Sequence, residues 1–249
     1  MEKWNGFDIE RFIFEEHEAL IVYPEADKKN GYLAVKTEYW DAFPEACEIE
    51  LLARGFHLCY IKNDNRFAMD YEIDRKARFI RYVMDKCALK DKCVPVGMSC
   101  GGLIAIKLAA RYPELIACLY VDAPVVNYMS WPLKAGKTRF AATEEQILAS
   151  FKEIISALGA KSIADVMAYR EMPLDKIPDL IKARIPMIMV SGDADTVVPY
   201  DENGVYVEKA YKDAGVDIEV HIKPGGDHHP HGLPTPDAVV NFIMKYCKQ

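Results

Sequence analysis

Short apolar runs rich in β-branched residues alternate with longer stretches of helical period along most of this chain, the pattern of a mostly parallel, doubly wound α/β sheet. The opening FDIERFIFEEHEALIVYP predicts an antiparallel pair, with Ile9, Phe12 and Phe14 on a mixed-polarity edge strand followed by the apolar ALIVY. A helix near residues 44–53 and the strand FHLCYI come next. Over residues 70–89, Ile73, Ala77, Ile80, Met84 and Cys87 recur at spacings of four and three between Asp74, Arg75, Arg78 and Asp85, which predicts a helix with one buried face. CVPVGMS then reads as a strand, CGGLIAIKLAARYP as a helix ended by its proline, and IACLYVDAP as another strand.

From about 125 to 185 this rhythm breaks. NYMSWPLKAGKTRF is loop-like, and TEEQILASFKEIISALG is a helix with Thr143 and Gln146 at capping-box spacing. The alternation resumes with the strand PMIMVSGD, the helix ENGVYVEKAYKDAG closed by Gly215, the strand DIEVHIKPG and a last helix from about Pro236. A segment that leaves the sheet and returns to it predicts one domain over 1–249 with a short helical cap inserted at about 125–185.

Composition narrows the classes of function. A chain of 249 residues with 51% hydrophobic and 28% charged residues has globular proportions. Its formal net charge of -7 repels a phosphate backbone and an anionic bilayer, so neither nucleic acid nor membrane is expected as a partner. The acidic N-terminus lacks a secretion-type apolar stretch, which points to the cytoplasm. Seven cysteines, an odd count without a CxxC pair, read as reduced, buried thiols. No pattern sets the oligomeric state.

The chemistry centres on VGMSCGG, residues 96–102. Gly97-Met-Ser99-Cys-Gly101 has the form of a nucleophile elbow, in which small flanking residues let the chain turn sharply and lift the hydroxyl above the carboxyl edge of the sheet. Random order at this composition produces the pattern about 0.02 times, and the strand before and helix after reduce that further. The competing reading is a turn serine without chemistry.

A serine hydroxyl needs a base to take its proton, and the base needs a carboxylate to orient it. Downstream, Asp195 in MVSGDADTVVP follows a buried strand and is the expected acid. Its competing role is an Asx-turn aspartate; Asp193 rivals it, and Asp122 at the end of YVD is the reserve. The base is expected in KPGGDHHPHGL, with His228 chosen over His229 and His231 assigned to hydrogen bonding within the loop. His17, His57 and His221 lie in or beside strands and read as structural. The spacing of the three loop histidines has no helical i, i+4 pair, so no metal is expected.

An oxyanion formed at Ser99 needs two N–H donors. The Cys100 amide is one, and Ala26 in PEADKKNG is the expected second. Tyr128, Met129 and Trp131 in NYMSWP are candidates to line a substrate, with cap packing as the alternative.

These residues resemble the α/β-hydrolases. Through GMSCGGLIAIKLAARYPELIACLYVDAPVVNYMSWP, GDADTVVPYDENG and KPGGDHHPHGLPTPDAVVNFI, the chain is similar over nearly its full length to a branch of small bacterial esterase-like proteins, commonly named prolyl-oligopeptidase-like or acetyl xylan esterase-like. The resemblance implies a doubly wound sheet of the α/β-hydrolase type, an acyl-enzyme on Ser99 with Asp195 and His228, and no cofactor. Two positions depart from it: Cys100 stands where such relatives often carry arginine, and Asp227 where they carry glycine before the histidine. The expected activity is a serine carboxylesterase on a small-molecule ester of short acyl group, with an acetylated carbohydrate as one candidate; the alternatives are a peptidase on short peptides and a non-catalytic binding protein.

Overall fold

The computed structural model describes residues 2–40, 42, 46–130 and 143–247. Among them, nine strands form one sheet: β1 (Glu2–Trp4), β2 (Phe7–Phe14), β3 (His17–Tyr23), β4 (Leu33–Lys36), β5 (His57–Ile61), β6 (Cys93–Met98), β7 (Leu119–Asp122), β8 (Met187–Gly192) and β9 (Ile218–Lys223). Their spatial order is β1-β2-β3-β5-β4-β6-β7-β8-β9. The first three pair antiparallel, and from β5 to β9 every neighbour is parallel. This is the mostly parallel, doubly wound α/β sheet that the alternating pattern predicts.

Side-chain alternation along each buried strand divides the core between the two sheet faces. On β8, Met187 and Met189 join one cluster, with residues of helices α2 (Asp70–Cys87) and α3 (Cys100–Arg111), while Ile188 and Val190 join the other, with α1 (Ala46–Ala53). Each fully buried aliphatic side chain contributes about 1.5–3 kcal/mol, so the two-sided burial is the main force holding the central strands.

Among the described residues, the connection from β7 to β8 carries the helices α4 (Glu144–Leu158), α5 (Ile163–Ala168) and α6 (Pro173–Lys182). The expected capping box opens α4: the Thr143 hydroxyl accepts the Gln146 N–H at 3.2 Å, and Gln146 Oε1 accepts the Thr143 N–H at 2.9 Å. Helix α6 buries Ile177 and Leu180 in the core beside α3, as a sheet-flanking helix does. The remaining helices, α7 (Gly204–Ala214) and α8 (Asp237–Tyr246), lie on opposite faces.

The short central strand β4 does not stand out in the sequence. It ends in Lys36, whose ammonium is buried in an ion pair with Glu48 at 3.2 Å; a charge at that position makes a core strand look like surface. Parallel register aligns the strand ends that matter: Met98 lies opposite Asp122, and Asp122 opposite Val190. The loops after β6, β7, β8 and β9 therefore open at one edge.

Candidate active site

Ser99 is the single residue between β6 and α3. Its backbone sits at φ 55°, ψ -118°, a region that residues with a side chain rarely occupy, and it is held there by its N–H to the Asp122 carbonyl (2.8 Å) and by the Val125 N–H to its own carbonyl (3.1 Å). The flanking glycines are steric requirements. A Cβ on residue 97 would lie 2.2 Å from the Gly101 carbonyl oxygen, and one on residue 102 would lie 2.6 Å from Pro124 Cβ.

Asp195 and His228 reach Ser99 from loops that interlock. A Cβ on Gly192 would lie 2.1 Å from the Gly226 carbonyl oxygen, so the chains leaving β8 and β9 touch as only glycines permit. Hydrogen bonds then tie them. The Ala194 N–H donates to Gly226 (3.0 Å), the Gly225 N–H to Asp193 Oδ1 (2.6 Å), and the Thr196 N–H to Asp227 Oδ1 (2.8 Å). Asp227 also accepts the His228 N–H at 2.8 Å, and these amide donors hold its carboxyl below the usual carboxylate range. Sequence reading treats Asp193 as a rival acid and Asp227 as a mere departure; both staple one loop to the other.

The imidazole of His228 bridges the two remaining groups. Its Nδ1 lies 2.8 Å from Asp195 Oδ2 and its Nε2 lies 3.2 Å from Ser99 Oγ, with all three residues buried. Asp195 also performs its competing role. Its other oxygen, Oδ1, accepts the N–H groups of Val197 (2.8 Å) and Val198 (2.7 Å), so the Asx turn aims Oδ2 at the ring. A proton on Nδ1 leaves the Nε2 lone pair toward Ser99, the geometry in which a hydroxyl can be deprotonated as it attacks a carbonyl. Among the described residues, His17 pairs with Asp64 and His221 with Glu219, each remote from this chain of bonds.

Asp122 serves elsewhere. Its Oδ1 meets His231 Nδ1 at 2.7 Å and its Oδ2 accepts the Gly232 N–H at 2.6 Å. His231 thus bonds to β7, and His229 is exposed.

The Cys100 amide lies in the first turn of α3, where a helix leaves N–H groups without intrahelical partners. Its thiol is pushed up to about 11, chiefly by burial, and lies beside Tyr39, so the sulfur stays protonated near neutral pH and is a poor nucleophile. The assignment of Ala26 as second donor is corrected here. Ala26 is exposed in the β3–β4 loop, where Asn30 and Gly31 bond to residues just before β5 and β6, so it lies at the amino edge, opposite Ser99. The loop on the correct edge follows β4. There Thr37 donates to the Gly101 carbonyl at 2.7 Å, and Tyr39 sits at φ 58° beside Cys100. Sequence reading missed Tyr39 because it missed β4.

The substrate-lining candidates also change. Tyr128 is wholly buried, donates to the Phe67 carbonyl at 2.7 Å and stacks on Tyr169, so it packs the core instead of facing a substrate. Met129 is half-buried against the same core, and Trp131 lies outside the described residues. Arg66 pairs with Glu153 of α4 at 2.6 Å.

Comparison with known proteins bears on this arrangement. Residues 78–246, which include Ser99, Asp195 and His228, match the prolyl oligopeptidase family. An acylaminoacyl peptidase of Pyrococcus horikoshii superposes with a TM-score of 0.68 at 13% identity, covering 99% of this chain and 42% of that one. A puromycin-hydrolyzing peptidase of Mycobacterium tuberculosis gives 0.71 at 13% identity, covering 97% and 40%. A puromycin hydrolase complexed with PGG gives 0.66 at 17%, covering 97% and 38%. The chain thus spans about two fifths of these proteins, and at such identities the likeness is one of fold, the α/β-hydrolase fold. Curated proteins yield no match. No helix among the described residues is long and apolar enough to cross a membrane.

Proposed function

The chain belongs to the prolyl oligopeptidase family of serine hydrolases, and from that premise we propose that it cleaves short peptides or aminoacyl amides through an acyl-enzyme on Ser99. The observation that carries this reading is the His228 imidazole, bonded to Asp195 through Nδ1 and to Ser99 through Nε2. Ser99 Oγ attacks the carbonyl carbon while its proton passes to His228 Nε2. The imidazolium formed is stabilised by the Asp195 carboxylate. The tetrahedral oxyanion is met by the Cys100 N–H and, in this reading, by the phenol of Tyr39 in place of a second amide. His228 then protonates the departing nitrogen, the C–N bond breaks, and a water activated by the same imidazole releases the acid and restores Ser99.

The sequence alone ranks a small ester first and a short peptide second. Family membership and the peptidases among the solved structures favour the reverse order. The test compares kcat/KM for aminoacyl and prolyl p-nitroanilides and short unblocked peptides with that for p-nitrophenyl acetate and acetylated sugars, with Ser99→Ala as the control. Turnover of at least one unactivated amide, lost in Ser99→Ala, supports the proposal. Hydrolysis of acetyl esters with no amide cleaved would return the esterase reading.

A further inference from the structure

Beside the Ser99–His228–Asp195 series, three imidazoles stand around one point. The ring centroids of His228, His229 and His231 are 4.8, 4.8 and 4.9 Å apart, each pair close to perpendicular. One nitrogen from each lies within 4.8 Å of the other two. The sequence spacing argues against metal because it has no helical pair; the folded loop brings the rings together by another route, with Lys223 Nζ holding the Pro230 carbonyl at 2.6 Å.

What separates this group from a chance cluster is the state of its two buried members. His228 and His231 each direct Nδ1 at a buried carboxylate, Asp195 at 2.8 Å and Asp122 at 2.7 Å. A histidine whose Nδ1–H is held by a carboxylate is fixed in orientation and keeps its lone pair on Nε2, which is the outer-shell arrangement that metal-ligating histidines adopt. The two carboxylates also place negative charge behind the rings. His229 is exposed at the mouth of the cluster, so an ion meets it first.

We propose that His228, His229 and His231 together bind one divalent transition-metal ion of zinc-like preference, and that this ion switches the hydrolase off. Three imidazole nitrogens at about 2.0–2.1 Å and a water complete a tetrahedral shell. Binding uses the Nε2 lone pair of His228, so the Ser99 hydroxyl loses its proton acceptor. No covalent bond in the protein is broken; the Ser99 Oγ···His228 Nε2 hydrogen bond is given up, both Nδ1–H···carboxylate bonds persist, and removal of the ion restores the starting state. The inhibitory half rests on His228 acting for Ser99 as proposed above; the binding half does not.

The experiment keeps the two halves apart. Calorimetric titration of zinc into Ser99→Ala, which has no nucleophile to inhibit, should show one bound ion per chain, and adding His229→Ala should weaken it by about tenfold or more through loss of a ligand. His229 is exposed, so this change leaves the core untouched; His229→Gln provides a second variant. In the chain with Ser99 intact, zinc should slow fluorophosphonate labelling, a chelator should restore it, and His229→Ala should require about tenfold more zinc relative to its own metal-free rate. No zinc uptake by Ser99→Ala, or uptake undiminished by loss of His229, overturns the site and would assign any inhibition to the thiols. Zinc bound at the histidines with labelling unaffected overturns the switch.

Discussion

Asp122 Oδ1 and His231 Nδ1 meet at 2.7 Å with both side chains wholly buried, a second carboxylate–imidazole pair beside that of Asp195 and His228. The two pairs are placed differently, because the second nitrogen of His228 lies 3.2 Å from Ser99 Oγ. Asp195→Asn should lower kcat by roughly 10³- to 10⁴-fold with the fold intact, since an amide stabilises neither the right tautomer nor the imidazolium. Asp122→Asn should act chiefly on stability, by about 1–3 kcal/mol, through loss of the carboxylate that receives His231 and Gly232. Turnover numbers and urea midpoints for the two variants decide the point; the opposite ranking would make Asp122 the acid.

The elbow is a matter of space, and two glycines separate space from backbone preference. Gly97→Ala would put a methyl 2.2 Å from the Gly101 carbonyl oxygen, whereas Gly159→Ala meets nothing within 4 Å and carries only the penalty of its φ of 62°. Chemical denaturation should show a loss of about 3 kcal/mol or more, or failure to fold, for the first. The second should lose about 1 kcal/mol. Equal small losses would mean that the turn can relax.

Tyr39 and Cys100 touch, yet the account gives them different work. Tyr39→Phe should reduce kcat by about 10²-fold with little change in KM, the size expected for one oxyanion donor. Cys100→Ala keeps the backbone N–H and should retain activity within a few-fold. A Cys100→Ala enzyme as impaired as Tyr39→Phe would contradict the assignment of the amide, not the thiol, to the reacting centre.

A pH effect is expected far from the site. His57, buried at the start of β5 against the Tyr23 ring, is pushed down to about 4 by burial and, to a lesser degree, by Lys29. In the unfolded chain an imidazole takes a proton near pH 6.5, and in the fold it does not until about 4. The unfolded state therefore binds more protons in that window, so stability present above pH 6.5 is lost as the pH falls toward 4. His57→Phe removes this titration. Urea midpoints measured from pH 7 to 4.5 should fall more steeply for the parent chain than for the variant, and parallel curves would show that His57 takes no part.

How much of this was legible in the sequence depends on how local each signal is. The elbow was readable because glycine, serine and glycine at fixed spacing between a strand and a helix form a short-range pattern. Asp195 and His228 were readable because chain order and strand ends confine the acid and base to two loops. Tyr39 was not, because β4 is four residues long and ends in a buried lysine whose partner, Glu48, lies on another element. Without β4, the expected second donor fell on Ala26, which lies at the amino edge of the sheet. Tyr128 looked like a substrate contact because an aromatic after a strand end has no sequence mark that separates cap, core and pocket; its bond to Phe67 is long-range. The meeting of His228, His229 and His231 was hidden for the same reason, since loop spacing does not report where rings point.

The central claim is that the fold makes Ser99 nucleophilic. A fluorophosphonate reports this directly, because it phosphonylates an activated serine and ignores an ordinary one. Mass spectrometry of the labelled, digested protein should place a single adduct on Ser99, formed at a rate that falls steeply in His228→Ala and absent in Ser99→Ala. A folded sample that takes up no label, or one labelled equally well without His228, would contradict it.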